Sequence, residues 1–137
     1  MIKKSTLLFL LVLTSYVFAQ NYDWNWKNPT PFGNSFNSGV ILPPNTLIGI
    51  GDAGIVIKST DGGATGTHIY VDGFTGRTLN DIEVVSTNLF VCGSGGLLLK
   101  STDIGDTWIA LNSGVTSTLY QLAFVDNNVG YVVGAAG

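Results

Sequence analysis

The sequence predicts an all-β protein built from repeated four-stranded units, and three observations carry that prediction. Glycine takes 18 of 137 positions and charged residues only 11%, while valine, isoleucine, threonine and aromatics fill short runs between the glycines. Beyond the first 19 residues, no stretch keeps apolar residues at i, i+3, i+4 and i+7 over a helical length. The third observation is an internal repeat. Residues 49–66, GIGDAGIVIKSTDGGATG, lie over residues 91–108, VCGSGGLLLKSTDIGDTW. Gly51 falls on Gly93, Gly54 on Gly96, Lys58 on Lys100, and Ser59-Thr60-Asp61 on Ser101-Thr102-Asp103, at a constant offset of 42. A further copy begins in residues 119–137, where Gly134 and Gly137 match Gly93 and Gly96 at an offset of 41.

Within the second unit, strands are expected at roughly 81–85, 88–92, 97–101 and 108–111. Turn signals separate them: Ser86-Thr87, Gly93-Ser94-Gly95-Gly96, and the Asp/Gly-rich stretch 103–106. The runs Leu89-Phe90-Val91-Cys92 and Leu97-Leu98-Leu99 are apolar at consecutive positions, so both faces of those strands are expected to be buried. Four short strands recurring every 42 residues, with sheets stacked face to face, make a β-propeller blade. About two and a half blades are expected: blade 1 over 37–78, blade 2 over 79–118 and a partial blade 3 over 119–137. Residues 20–36 form an N-terminal segment, in which 24–28 read as an outer strand that closes a ring and hides its sheet edges. A closed propeller takes about four to eight blades, so the chain is expected to be part of a longer protein.

The opening MIKKSTLLFLLVLTSYVFAQ has a positive start at Lys3 and Lys4, an apolar run over 7–13, and Val17-Phe18-Ala19 at the cleavage positions. This is the pattern of a secretory signal peptide over 1–19. The apolar run falls short of the roughly 20 residues that span a bilayer, so no membrane insertion is expected after cleavage. Removal of 1–19 leaves four basic and nine acidic residues, a formal charge of −5. That balance, with Arg77 the lone arginine, is not a nucleic-acid footprint. The single cysteine, Cys92, cannot form an internal disulfide and reads as a small buried hydrophobe.

Residues 49–54 are a literal G-x-G-x-x-G, but a dinucleotide loop must open a helix. Here β-branched Ile55-Val56-Ile57 follow, and VCGSGG and VVGAAG stand at the same place in the other copies. A hairpin turn is expected. Residues 101–108 follow Ser-x-Asp-x-Gly-x-Thr-Trp, and Ser59, Asp61, Gly63 and Thr65 repeat Ser101, Asp103, Gly105 and Thr107, with Gly66 in place of Trp108. The residue types suit a turn. Aspartate accepts hydrogen bonds from its own loop, Gly105 takes positive φ freely, and the Trp108 ring is expected to lie over the hairpin and enter the core between blades. Calcium is not expected at Asp103 and Asp106, because the D-x-[DN]-x-[DN]-G spacing is absent and Asp106 aligns with Ala64. His68, the only histidine, falls in an outer strand expected to be solvated, and Asp72, Asp81 and Glu83 are the remaining acids weighed as a hydrolytic pair. No catalytic residue, cofactor or metal is assigned.

The turn pattern is identified as the Asp-box, or bacterial neuraminidase repeat. With the 128–137 run NVGYVVGAAG, the KSTD-x-G-x-T-W continuation of the other copies, and the opening W-x-W-x-N-P-x-P-x-G over 24–33, the chain resembles the photosystem II stability/assembly factor-like propellers. That resemblance implies an exported propeller with no catalytic residues in its boxes, whose exposed surface binds other proteins. Asp-box propellers also include sialidases, xyloglucanases and sortilin-type receptors. A sialidase converges several arginines on a carboxylate, which Arg77 alone does not supply. The expected function is a secreted, non-enzymatic binding or scaffold module for an unidentified protein or glycan; the alternative is a fragment of an Asp-box glycoside hydrolase.

Overall fold

The computed structural model describes residues 33–135. The expected signal peptide, the expected closing strand at 24–28 and Gly137 lie outside the described residues.

Among the described residues, ten strands form three antiparallel sheets. The first sheet holds β1 (Phe36–Leu42), β2 (Thr46–Gly51), β3 (Val56–Ser59) and β4 (Thr67–Ile69) in sequential order. The second repeats the arrangement with β5 (Leu79–Val85), β6 (Asn88–Gly93), β7 (Leu98–Ser101) and β8 (Ile109–Ala110). In the third, β9 (Leu119–Phe124) pairs with β10 (Gly130–Gly134). The first strand of blade 2 starts at Leu79, two residues before the sequence-based expectation, because Leu79 still pairs with Gly93 across an irregularity in the register. The outer strand is shorter than expected, only Ile109–Ala110, although the Leu111 N–H reaches the Leu98 carbonyl at 2.8 Å. Among the described residues, no helix is long and apolar enough to cross a membrane.

The consecutive apolar runs divide between two cores, as period-2 geometry requires. Leu89, Val91 and Leu99 point towards blade 1 and join Ile48, Ile50, Val56, Leu79, Ile82 and Leu97 in the larger core. Cys92, with Phe90 and Leu98, points the other way onto Leu119, Leu122 and Phe124 of the third sheet. The Phe90 and Phe124 rings meet at 4.7 Å between centroids, tilted by 38°. Each fully buried aliphatic side chain contributes about 1.5–3 kcal/mol, so the stability of each sheet depends on its neighbour.

Polar bonds at the first strands tie the blades together. Asn37 donates to the Leu79 carbonyl at 2.9 Å, and Asn80, one blade on, donates to the Leu119 carbonyl at 2.6 Å. Asp81 spans all three sheets: Oδ1 accepts from the Ser38 hydroxyl at 3.0 Å, and Oδ2 accepts from the Leu122 N–H at 2.9 Å. Both oxygens of this acid, weighed above for hydrolysis, are therefore engaged in the fold.

Candidate functional site: the repeated turns

The two Ser-Thr-Asp turns link the third and fourth strands of their blades, and their geometry repeats almost atom for atom. In blade 2 the Ser101 hydroxyl donates to Asp103 Oδ1 at 2.8 Å and accepts the Gly105 N–H at 2.9 Å. Asp103 Oδ1 also accepts the Thr107 N–H at 2.9 Å, while Oδ2 accepts the Thr107 hydroxyl at 2.5 Å. In blade 1, Ser59 donates to Asp61 Oδ1 at 2.8 Å and accepts the Gly63 N–H at 2.9 Å. The Thr65 N–H and hydroxyl reach Asp61 Oδ1 and Oδ2 at 2.9 and 2.7 Å. Ser59 and Ser101 are buried polar residues in cores otherwise made of hydrocarbon, and these bonds satisfy them.

The same bonds set the acidity of the carboxyls. The threonine hydroxyl, then the threonine N–H and the serine hydroxyl, favour the ionised form and hold Asp61 and Asp103 at about 2, against an ordinary 3.8. A carboxylate fixed in this way is a poor proton donor or acceptor near neutral pH. Its chemistry is spent on the loop.

The turn also needs two successive left-handed residues. Gly62 and Gly63 have φ of 71° and 86°, and their counterparts Ile104 and Gly105 have 59° and 84°. The sequence shows why glycine stands at 63 and 105; it does not show that a β-branched isoleucine holds the preceding left-handed position in blade 2.

Trp108 packs half-buried against the larger core, and its indole N–H donates to the Gly105 carbonyl at 3.1 Å. The ring lies over the turn and packs on the core between the blades from its margin. Blade 1 has no such ring. Around Gly66 an apolar hollow of about 230 Å³ is lined by Phe36, Leu47, Gly49 and Ile57. Ile57 takes part of the space, since a Cβ on residue 66 would come within 2.9 Å of its Cγ2.

The remaining candidates do not converge. Asp106 pairs with Lys58 of blade 1 at 2.6 Å, an ion pair between blades. His68 lies half-buried in β4 with its ring 4.1 Å from that of Tyr70, where solvation had been expected. Asp72 is exposed in the loop after β4, and Glu83 is half-buried on β5. Among the described residues, no group of three or more His, Cys, Asp or Glu side chains could hold a metal ion. Burial, reinforced by the Asp81 charge, pushes the Cys92 thiol up to about 11, far from a reactive thiolate at neutral pH.

The glycine-rich run 49–54 leads into strand β3, not a helix, by way of a tight turn at Asp52–Gly54. Its repeated glycine has a packing role that sequence reasoning missed. A Cβ on Gly51, Gly93 or Gly134 would strike the carbonyl of Ser35, Thr78 or Thr118. At each of these crossings the next residue's N–H donates to that same carbonyl: Asp52 to Ser35 at 3.0 Å, Ser94 to Thr78 at 2.9 Å and Ala135 to Thr118 at 2.7 Å. The recurrence of this glycine at offsets of 42 and 41 was the available signal. Arg77 closes the Gly93–Gly96 turn, reaching the Ser94 and Gly95 carbonyls at 3.2 Å each.

Two sheets of four sequential antiparallel strands, and two strands of a third packed beside them, decide the architecture. The fold is that of a partial β-propeller. No protein-family model matches the chain, and no curated protein sequence matches it. Among solved structures, it is similar to YCF48 bound to D1 peptide, with a TM-score of 0.69 and 15% identity over 80% of this chain. It is also similar to YCF48 from Cyanidioschyzon merolae, with a TM-score of 0.65 and 20% identity over the same share. The chain spans about a third of each of those structures, 37% and 34%. The likeness is one of fold.

Proposed function

We propose that the chain is part of a longer, secreted, non-enzymatic β-propeller that binds a protein or glycan partner, in the manner of the photosystem II assembly factors it resembles. The observation that carries this reading is the internal use of the repeated turns. Every serine, aspartate and threonine of the Asp-box pattern is hydrogen-bonded within its own loop, in the same way twice. A motif consumed by the loop supports a scaffold, and leaves recognition to the surfaces between and around the blades. A protein partner is further supported by the fold neighbour determined with a bound peptide.

The test is binding set against turnover. The purified exported protein is screened on peptide and glycan arrays, and assayed on chromogenic sialosides and xyloglucan. Saturable binding without hydrolysis is expected. Hydrolysis that disappears in Asp103→Asn while the melting curve is unchanged overturns the reading in favour of a glycoside hydrolase. Export is checked separately: the N-terminus of the secreted protein is expected at Gln20, and an intact Met1 in the cytoplasm contradicts it.

A further inference from the structure

The geometry points to a binding site for a neutral sugar, one with neighbouring hydroxyl groups, in the polar cleft where the repeated turns meet the seam between blades 1 and 2. Both blades have all four strands among the described residues, and both walls of the cleft belong to them. Lys58 of β3, Thr67 and Ile69 of β4, and Thr60 and Thr65 of the first turn form one wall; Asp106 of the second turn forms the other. The cleft holds about 350 Å³, at the small end of the roughly 300–1,000 Å³ of ligand sites. On this face of blade 1, Ile69 pairs with Val56 and packs against the larger core. One pair closer to the turn, Lys58 stands opposite Thr67, and hydrocarbon gives way to an ammonium and a hydroxyl.

The turn does not need the Asp106 side chain, because blade 1 closes the same turn with Ala64 at that position. Its carboxylate instead lies 2.6 Å from Lys58 Nζ, with the acid side chain 60% exposed and the lysine only 13%. The acid is open to a ligand, and the ammonium lies largely covered beside it. That pairing selects the ligand. An anion meets an ammonium already neutralised and a carboxylate that repels it, while a cation is repelled by the ammonium. One paired carboxylate is too few for a metal ion. A neutral diol fits both charges: one hydroxyl donates to Asp106 and its neighbour accepts from Lys58, two charge-assisted bonds. Thr60 and Thr67 present exposed hydroxyls that donate or accept, and the Thr65 hydroxyl, donating to Asp61, keeps lone pairs to accept. Ile69 offers apolar surface to the C–H groups of a sugar ring. The inference rests on the function proposed above and deepens it, naming a glycan as the partner and the seam as its contact.

Methyl glycosides of glucose, galactose and mannose are titrated into the full chain, followed by amide chemical shifts. Saturable shifts at Lys58, Thr67 and Asp106 are expected with at least one of them. Methyl glucuronide and inorganic phosphate, both anionic, are expected to bind at least about tenfold more weakly. Asp106→Ala repeats the residue that the blade 1 turn already carries, and is expected to weaken sugar binding about tenfold. Unchanged amide exchange at Gly105 and Thr107 is expected to show that the turn itself survives. Thr67→Ile, which repeats Ile109 of blade 2, is expected to weaken binding by a smaller factor. The inference is overturned if none of the three sugars saturates, if phosphate binds as tightly, or if Asp106→Ala binds sugar unchanged. Glycan-array capture that is equal with and without Asp106 also overturns it, and leaves the function proposed above standing. Hydrolysis of a chromogenic glycoside overturns that function, and saturating shifts in the cleft alongside it still support the sugar site.

Discussion

Asp61 and Asp103 carry the clearest physical signature in the molecule. Their carboxyls are held at about 2 in the fold and return to the ordinary 3.8 when the loop opens. The folded value is the lower one, so each contributes stability that is full above pH 4 and lost as the pH falls towards 2. Denaturation midpoints measured from pH 5 to pH 2 should drop across that window, and Asp61→Asn with Asp103→Asn should flatten the drop. Ile104 offers a second test at this scale. A half-exposed β-branched residue at φ 59° is strained, and blade 1 uses Gly62 at the same place. Ile104→Gly is therefore expected to leave stability unchanged or raise it by up to about 1 kcal/mol, read from urea unfolding. The roles of Ser101, Asp103 and Thr107 are legible from residue type and spacing alone, since hydroxyl, carboxylate and glycine suit a closed loop. The strain at Ile104 is not legible, because a backbone angle forced by neighbouring bonds leaves no trace in residue type.

At the scale of the strand and turn, the decisive contacts are between backbones. Gly93 lets the end of β6 touch the Thr78 carbonyl, with Leu79 beginning β5 at the next residue. Gly93→Ala pushes a methyl group into main chain that cannot rotate away, and should destabilise by about 2–3 kcal/mol in chemical denaturation. Trp108→Ala should cost about 3 kcal/mol, the low end for a large aromatic, because the ring is only half-buried. Strand number and approximate position follow from the glycine punctuation and the apolar runs. The start of β5 at Leu79 does not, because its pairing across a register irregularity depends on Gly93, a residue 14 positions away. The indole N–H bond from Trp108 to the Gly105 carbonyl does not follow from spacing either, because it is a matter of three-dimensional reach.

Across the whole molecule, the sheets are joined by two apolar interfaces and by the Asp81 carboxylate that spans three of them. Asp81→Ala leaves the Ser38 hydroxyl and the Leu122 N–H without their partner. A cost of about 1–3 kcal/mol is expected, with faster amide exchange at Leu122 as its local mark. The repeat made the stacking of blades legible at a glance, because a 42-residue period with both strand faces apolar demands neighbours. The clasp at Asp81 was not, since its counterpart in blade 1 is Ser38 and no spacing rule links the two. The central claim is that the repeated Ser-Thr-Asp turns are locked parts of the blade, not working sites. Native-state hydrogen exchange at Gly63, Thr65, Gly105 and Thr107 tests it most directly, because each of these amides donates to a side chain within its turn. Exchange as slow as that of the flanking strands β3 and β7 is the expected result; exchange as fast as that of an exposed loop would contradict the account.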